Sequence, residues 1–196
     1  MKEDKFNYAL GAAGLKPCLV GFVRNDMDGY IDYMSTVTGG EPSHFSPKEL
    51  ITPVSHQLLV KEVTGGRWLL PGAQWWPRLA LLRWAADGCR FEEPVRMAWA
   101  WRPTLLNDAV GGHEHSAHLT CCAIDLDFSS LMARNMALRR FLHPLWNSPV
   151  NFGLGLGVGQ RRVHIDFFSP RWEEIGKPRW WRYETAADYD GPKRPI

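Results

Sequence analysis

The chain of 196 residues lacks most of the features that would take it out of the ordinary globular class. No stretch approaches the roughly 20 consecutive apolar residues of a membrane span. The N-terminus carries Glu3 and Asp4 and no uninterrupted apolar run, so it does not read as a signal peptide. The expectation is a chain made as a soluble cytoplasmic protein. Net charge is only +2, without a basic stripe or an aromatic RNA motif, which argues against nucleic-acid binding. The Arg pairs at 139–140 and 161–162, and Arg179 to Arg182, are short and read as solvated faces. The four cysteines (Cys18, Cys89, Cys121, Cys122) show no CxxC spacing, so a zinc ribbon or redox pair is not expected and they read as buried thiols. No internal repeat is present.

What is there suits one domain. An apolar fraction of 45% supplies a core, and a chain of this size buries roughly 70% of its unfolded surface. The ten tryptophans are unusual. Packing at the surface boundary accounts for them, as does a groove that stacks on a glycan or peptide.

Residues 1–43 are Gly-rich without a clear period and read as an N-terminal extension packed on a domain spanning 44–177. Ser46, Pro47 and Glu49 form a helix start with a capping box. A helix is expected from Gln74 to Asp87, stopped by Gly88. Val95 to Arg102 alternates, with Val95, Met97, Trp99 and Trp101 on one face, as a strand does. A helical turn over 105–110, a strand over 123–128, a helix from Ser129 to His143 ended by Pro144, and strands over 153–158 and 162–168 complete the domain. The run 178–196 is Pro- and charge-rich and reads as a loosely ordered tail. Helices first, then strands with one inserted helix, predict an α+β fold on a small, mainly antiparallel sheet.

The chemistry gathers in Ser116 to Asp125. His118 and Asp125, seven residues apart, converge if the chain turns from a loop into a strand. Mixed imidazole and carboxylate ligands suit Zn²⁺, and a catalytic site needs three protein ligands with one position open. His164, in the alternating run 163–167, is the natural third. On residue chemistry alone, each of these is also an ordinary structural residue.

A wider pattern surrounds them. Phe45-Ser46-Pro47-Lys48-Glu49-Leu50 comes first, and a Leu-rich helix follows at Leu79 to Trp84. Trp101-Arg102-Pro103-Thr104, Asn107 to Gly112, Ser116-Ala117-His118, Ala123-Ile124-Asp125, Gly157-Val158-Gly159 and Val163-His164-Ile165-Asp166 then stand in order. Over residues 44 to about 172 this resembles the M15 family of zinc D-Ala-D-Ala carboxypeptidases and murein endopeptidases, whose fold the Hedgehog signalling domain shares. The resemblance implies one Zn²⁺ held by His118, Asp125 and His164. It implies a peptidoglycan peptide substrate cut at a D-amino-acid bond, by endopeptidase or carboxypeptidase action. Arg102 matches the arginine that holds a developing oxyanion, and Ser116 either orients substrate or caps the ligand loop. His113 and His115 match no ligand position. Action on the cell wall or periplasm would follow lysis, virion delivery or dedicated export.

Two departures stand out. Cys121 replaces a family glycine, so it shifts the ligand loop, tucks in as a small apolar group, or competes for the metal. Arg161 stands where several members carry an acid three residues before the last ligand. Asp166 is then the nearest carboxylate, open to a role as catalytic base, as an orienting partner of His164, or as the ligand itself in a shifted register. An inactive, zinc-bearing wall-binding module is the alternative of another class.

Overall fold

Alternation in two strands decides the architecture. In Ala123 to Phe128 the odd residues are Ala123, Asp125 and Asp127, and the even ones Ile124, Leu126 and Phe128; in Arg162 to Asp166 the apolar residues are Val163 and Ile165. Strand geometry sends alternate side chains to opposite faces, so one face becomes core and the other carries the chemistry.

The computed structural model describes residues 10–16, 24–38, 43–52, 56–167 and 177–192. Helix α1 (Met27–Val37) precedes a 3-10 turn at Pro47–Leu50, then come α2 (Gln57–Thr64) and α3 (Trp76–Gly88). Strand β1 (Val95–Trp99), helix α4 (Thr104–Ala109), a 3-10 turn at Ala117–Thr120 and β2 (Ala123–Phe128) follow. Helix α5 (Leu131–Ala137), a π-helical turn at Leu138–Leu142, α6 (His143–Asn147), β3 (Gly155–Val158), β4 (Arg162–Asp166) and β5 (Arg179–Arg182) end the fold. The sheet order is β1-β2-β4-β3-β5; every pairing is antiparallel except β3 with β5. The α+β expectation holds. Among the described residues no helix is long and apolar enough to cross a membrane.

The core face of the sheet presents Ile124, Leu126, Leu156, Val158, Val163 and Ile165, all fully buried. Helix α3 packs here and is buried nearly all round, from Trp76 to Ala86. Its two buried arginines reach outward to loops. Arg78 donates to the Thr120 carbonyl at 2.9 Å, and Arg83 donates to the Phe45 carbonyl at 2.7 Å. Tyr30 and Tyr33 of α1 set their rings on Trp76, 5.4 and 5.7 Å between centroids, so residues read as part of an extension share the main core.

Several local expectations change. The capping box of Ser46 and Glu49 forms, but on a single 3-10 turn. Gly88 is the last residue of α3 rather than a left-handed stop; Cys89, in the right-handed region, caps it. Pro144 does not end the helical run. A proline ring collides with the carbonyl four residues back, and the widened π turn immediately before it accommodates that clash, so helix continues to Asn147. In β1 the face is not continuous. An irregularity between Met97 and Trp99 leaves Met97 opposite Leu126 in the main core but sets Trp99 opposite Asp125. Trp99 then packs with Val60, Ala98 and Leu106 in a second cluster. The run after 178 supplies β5 and buries Ala186 and Tyr189. Most tryptophans are packed in; among the described residues Trp68 and Trp180 are the exposed ones. Cys89, Cys121 and Cys122 are free and buried, and Cys18 lies outside the described residues.

Candidate metal centre

Directly paired residues of neighbouring strands point to the same side of a sheet, which arranges the polar face in rows. Trp99, Asp125, His164, Gly157 and Trp181 form the central row. Two residues along, Ala123, Asp166, Gly155 and Arg179 form a second. In the other direction stand Arg96, Asp127 and Arg162. Two members of the candidate set, Asp125 and His164, are therefore cross-strand neighbours.

His118 arrives from the 3-10 turn. Ser116 caps that turn, its Oγ accepting from the His118 N–H at 3.4 Å. The turn is stapled to the end of β1: the Arg102 N–H donates to the His118 carbonyl at 3.2 Å. His118 Nδ1 lies 2.6 Å from the Ala100 carbonyl. A carbonyl only accepts, so Nδ1 donates there and Nε2 is the nitrogen turned toward Asp125 Oδ2, 3.3 Å away. The closing residue of the turn, Cys121, sits at φ +55° in the left-handed region that glycine adopts without penalty. Its thiol is buried and stays outside the candidate set, so it tucks in as a small apolar group.

Asp125 lies between two imidazoles, with Oδ1 at 2.7 Å from His164 Nδ1. Burial works against its charge, but His118 and His164 outweigh that and hold its carboxyl far below the usual carboxylate range. His164 Nε2 faces Asp166 Oδ2 at 3.3 Å. Burial disfavours a charged His164, yet the carboxylates on its two nitrogens raise it to about 9. One donor atom from each of His118, Asp125 and His164 lies within 4.8 Å of the others. Each imidazole has its other nitrogen engaged, as metal-binding histidines do.

Residues 79–166 match the family model for peptidase M15. Over this segment, a little under half of the chain, it is similar to the M15 peptidases. No curated protein and no solved structure matches it. M15 peptidases are metallopeptidases acting on peptides, and the His118, Asp125 and His164 group could hold the metal. The N-terminal motif at residues 45–50 lies outside the matched segment.

Arg102 is buried beside the centre. Its Nη2 is 3.9 Å from Asp125 Oδ2, its guanidinium lies 4.7 Å from the Trp99 ring centroid, and its Nε has no hydrogen-bond partner among the described residues. Asn107, also buried, holds the following loop by donating to the carbonyls of Gly112 and His113, each at 3.1 Å. A Cβ at Gly112 would fall 2.2 Å from Asn107 Oδ1, so the Asn-x-x-Val-Gly-Gly run is a packing requirement beside Arg102. His113 and His115 are in that loop and do not join the ligand group.

Two joined lobes of about 1110 and 710 Å³ open over the centre, and Ser116, His164 and Tyr183 line both. Arg96, Trp181, Tyr183 and Arg179 line these lobes without having been singled out in the sequence, and Arg161, noted there as a departure, lines the larger one. Trp181, Tyr183 and Arg179 come from β5 and its end, and the signal for them is indirect. Gly155 and Gly157 leave β3 bare on the polar face. A Cβ at Gly157 would sit 2.5 Å from the Trp181 indole, and one at Gly155 would sit 2.6 Å from Asp166 Oδ2. Across this gap Arg179 pairs with Asp166, and Trp181 reaches to 5.5 Å from the His164 ring.

Proposed function

We propose that this chain is a zinc peptidase that hydrolyses peptidoglycan stem peptides or their cross-links at a D-amino-acid bond, as an endopeptidase or D,D-carboxypeptidase. The observation that carries the proposal is the convergence of His118, Asp125 and His164 at the junction of the two lobes of one cleft. Zinc, when bound, supplies Lewis-acid chemistry, acidifying water and polarising a carbonyl.

The chain's own groups do the rest. His118 and His164 present the nitrogens left free by Ala100 and Asp166, and Asp125 supplies the carboxylate. An extended peptide fits across both lobes with the cut bond at their junction. Arg102, whose buried Nε has no partner among the described residues, holds the carbonyl oxygen on which negative charge grows. Ser116 caps the ligand turn and stands on the peptide path. Asp166 is a positioning residue rather than the base, because His164 and Arg179 occupy its carboxylate. The cell wall is reached after lysis, virion delivery or dedicated export.

One observation favours a second reading, a zinc-bearing wall-binding module without catalysis. Among the described residues lining the cleft, every carboxylate has a partner: Asp125 has the imidazoles, Asp127 has Arg162, Asp166 has Arg179, and Glu114 has His115 at 3.5 Å. Digestion of purified sacculi separates the readings. Zinc-loaded protein is expected to convert cross-linked muropeptides to monomers or to shorten stems, to leave glycan strands intact, and to stop when a chelator is added. Unchanged cross-linked and pentapeptide muropeptides would leave the binding module standing.

A further inference from the structure

The larger lobe carries more positive charge than its own carboxylates absorb. Arg96, Arg102, Arg161 and Arg162 line it, against Asp125 and Asp127. Asp127 is already committed, because Arg162 clasps it with Nε at 2.6 Å and Nη2 at 2.9 Å. Asp125 belongs to the candidate metal set. Glu93, the acid next to this lobe, accepts from the hydroxyls of Ser129 and Ser130. Among the described residues neither Arg96 nor Arg161 meets a carboxylate within salt-bridge distance.

The backbone of each is fixed by the sheet, although both residues are exposed. Arg96 is on β1 opposite Asp127. Arg161 is in the turn between β3 and β4. Its carbonyl accepts from the Phe128 N–H at 2.8 Å, and its Nη1 donates to the Ser129 carbonyl at 3.3 Å. One donor of that guanidinium is used, and the residue lines the lobe together with Arg96. Like charges gathered around a single committed carboxylate repel one another, and a planar guanidinium fork matches a carboxylate bidentately.

We infer that Arg96 and Arg161 form an anion subsite that takes a carboxylate of the peptide substrate, set apart from the bond that is cut. The spacing follows from the strands. The row of Asp127 and Arg162 lies two residues along from that of Asp125 and His164, which is about 7 Å. An extended peptide covers about 3.5 Å per residue, so the carboxylate belongs about two residues from the scissile bond. The subsite also gives the position of Arg161 a use. Where a family acid is expected, this chain has a cation lining the larger lobe. The inference rests on the peptidase reading above, and it adds a requirement that reading does not contain.

The test compares two synthetic stem peptides ending in diaminopimelate-D-Ala-D-Ala. One has its internal carboxylates free, and the other has them amidated while keeping the terminal carboxylate. Binding of each is measured by calorimetry to the full chain stripped of metal, so that no peptide is consumed. Wild-type protein is expected to bind the free peptide about tenfold or more tightly than the amidated one, with the preference shrinking as salt is raised. In R96Q/R161Q the preference should vanish while the affinity for the amidated peptide stays unchanged. A preference that survives in R96Q/R161Q overturns the inference. So does equal binding, or no binding, of the two peptides by wild-type protein. Digestion of sacculi decides the peptidase reading separately, since activity without carboxylate preference would remove the subsite alone.

Discussion

The segment 79–166 and the run 177–192 meet at the same centre and contribute to it differently. The first supplies every candidate ligand and holds each one through backbone: a turn stapled at Ala100 and Arg102, and two antiparallel strands in register. The second supplies no candidate ligand. It adds a parallel edge strand whose Arg179 and Trp181 lean across the bare glycines of β3 onto Asp166 and His164. A ligand set needs sub-ångström placement, which ladder hydrogen bonds give. Orienting and walling the site tolerate longer side chains arriving from an edge.

That division predicts graded losses. Asp125→Ala should remove zinc binding altogether, because the remaining two imidazoles cannot complete a three-ligand set; full zinc occupancy measured by mass spectrometry would break the comparison at its root. Arg102→Ala should keep zinc and fold but lower turnover on sacculi by about a hundredfold to a thousandfold, with Arg102→Lys recovering little. Near-normal turnover in both variants would return Arg102 to a packing role.

The edge strand and its partner on β4, Asp166, should matter less. Asp166→Asn and Arg179→Ala are each expected to weaken zinc affinity by about tenfold to a hundredfold through loss of His164 orientation. Loss as complete as in Asp125→Ala would make Asp166 a ligand and erase the distinction between the two regions. The smallest effect is on acidity. The Arg134 hydrogen bond depresses the carboxyl of Asp188 from its ordinary value, though the group is largely exposed. A depressed carboxylate contributes stability above its unfolded value, near 3.9, and loses it as pH falls through the lower folded value. Protection of the Tyr183, Ala186 and Tyr189 amides, taken relative to intrinsic exchange at each pH, should therefore fall only below about pH 4, before protection in β2 and β4 does. Simultaneous loosening of both regions would show that the run 177–192 is no less firmly held than the sheet centre.

Much of this was legible along the chain. The ligands His118, Asp125 and His164 stand in motifs whose neighbours alternate or turn in ways local rules describe, and strands β2 and β4 follow from period-two alternation. Capping chemistry announced the turn at residues 46–50 because Ser46 and Glu49 satisfy each other locally. Other features were not legible because their causes are distant in sequence. The irregularity at Met97 to Trp99 comes from fitting one strand to two cores. Helix past Pro144 comes from a π turn that no propensity scale foretells.

What the sequence determined by itself was the chemistry on offer: two imidazoles, a carboxylate and an arginine in motifs of fixed order, on strands whose polar face is set by alternation. Only the tertiary structure decided that Asp166 turns to Arg179, that Trp181 crosses a glycine gap to reach His164, and that Arg96 and Arg161 share one lobe. Those pairings join strands β1, β4 and β5 and the β3–β4 turn across the sheet. Long-range register is chosen by the burial of the opposite, apolar face, a property of the whole sheet that no single segment carries.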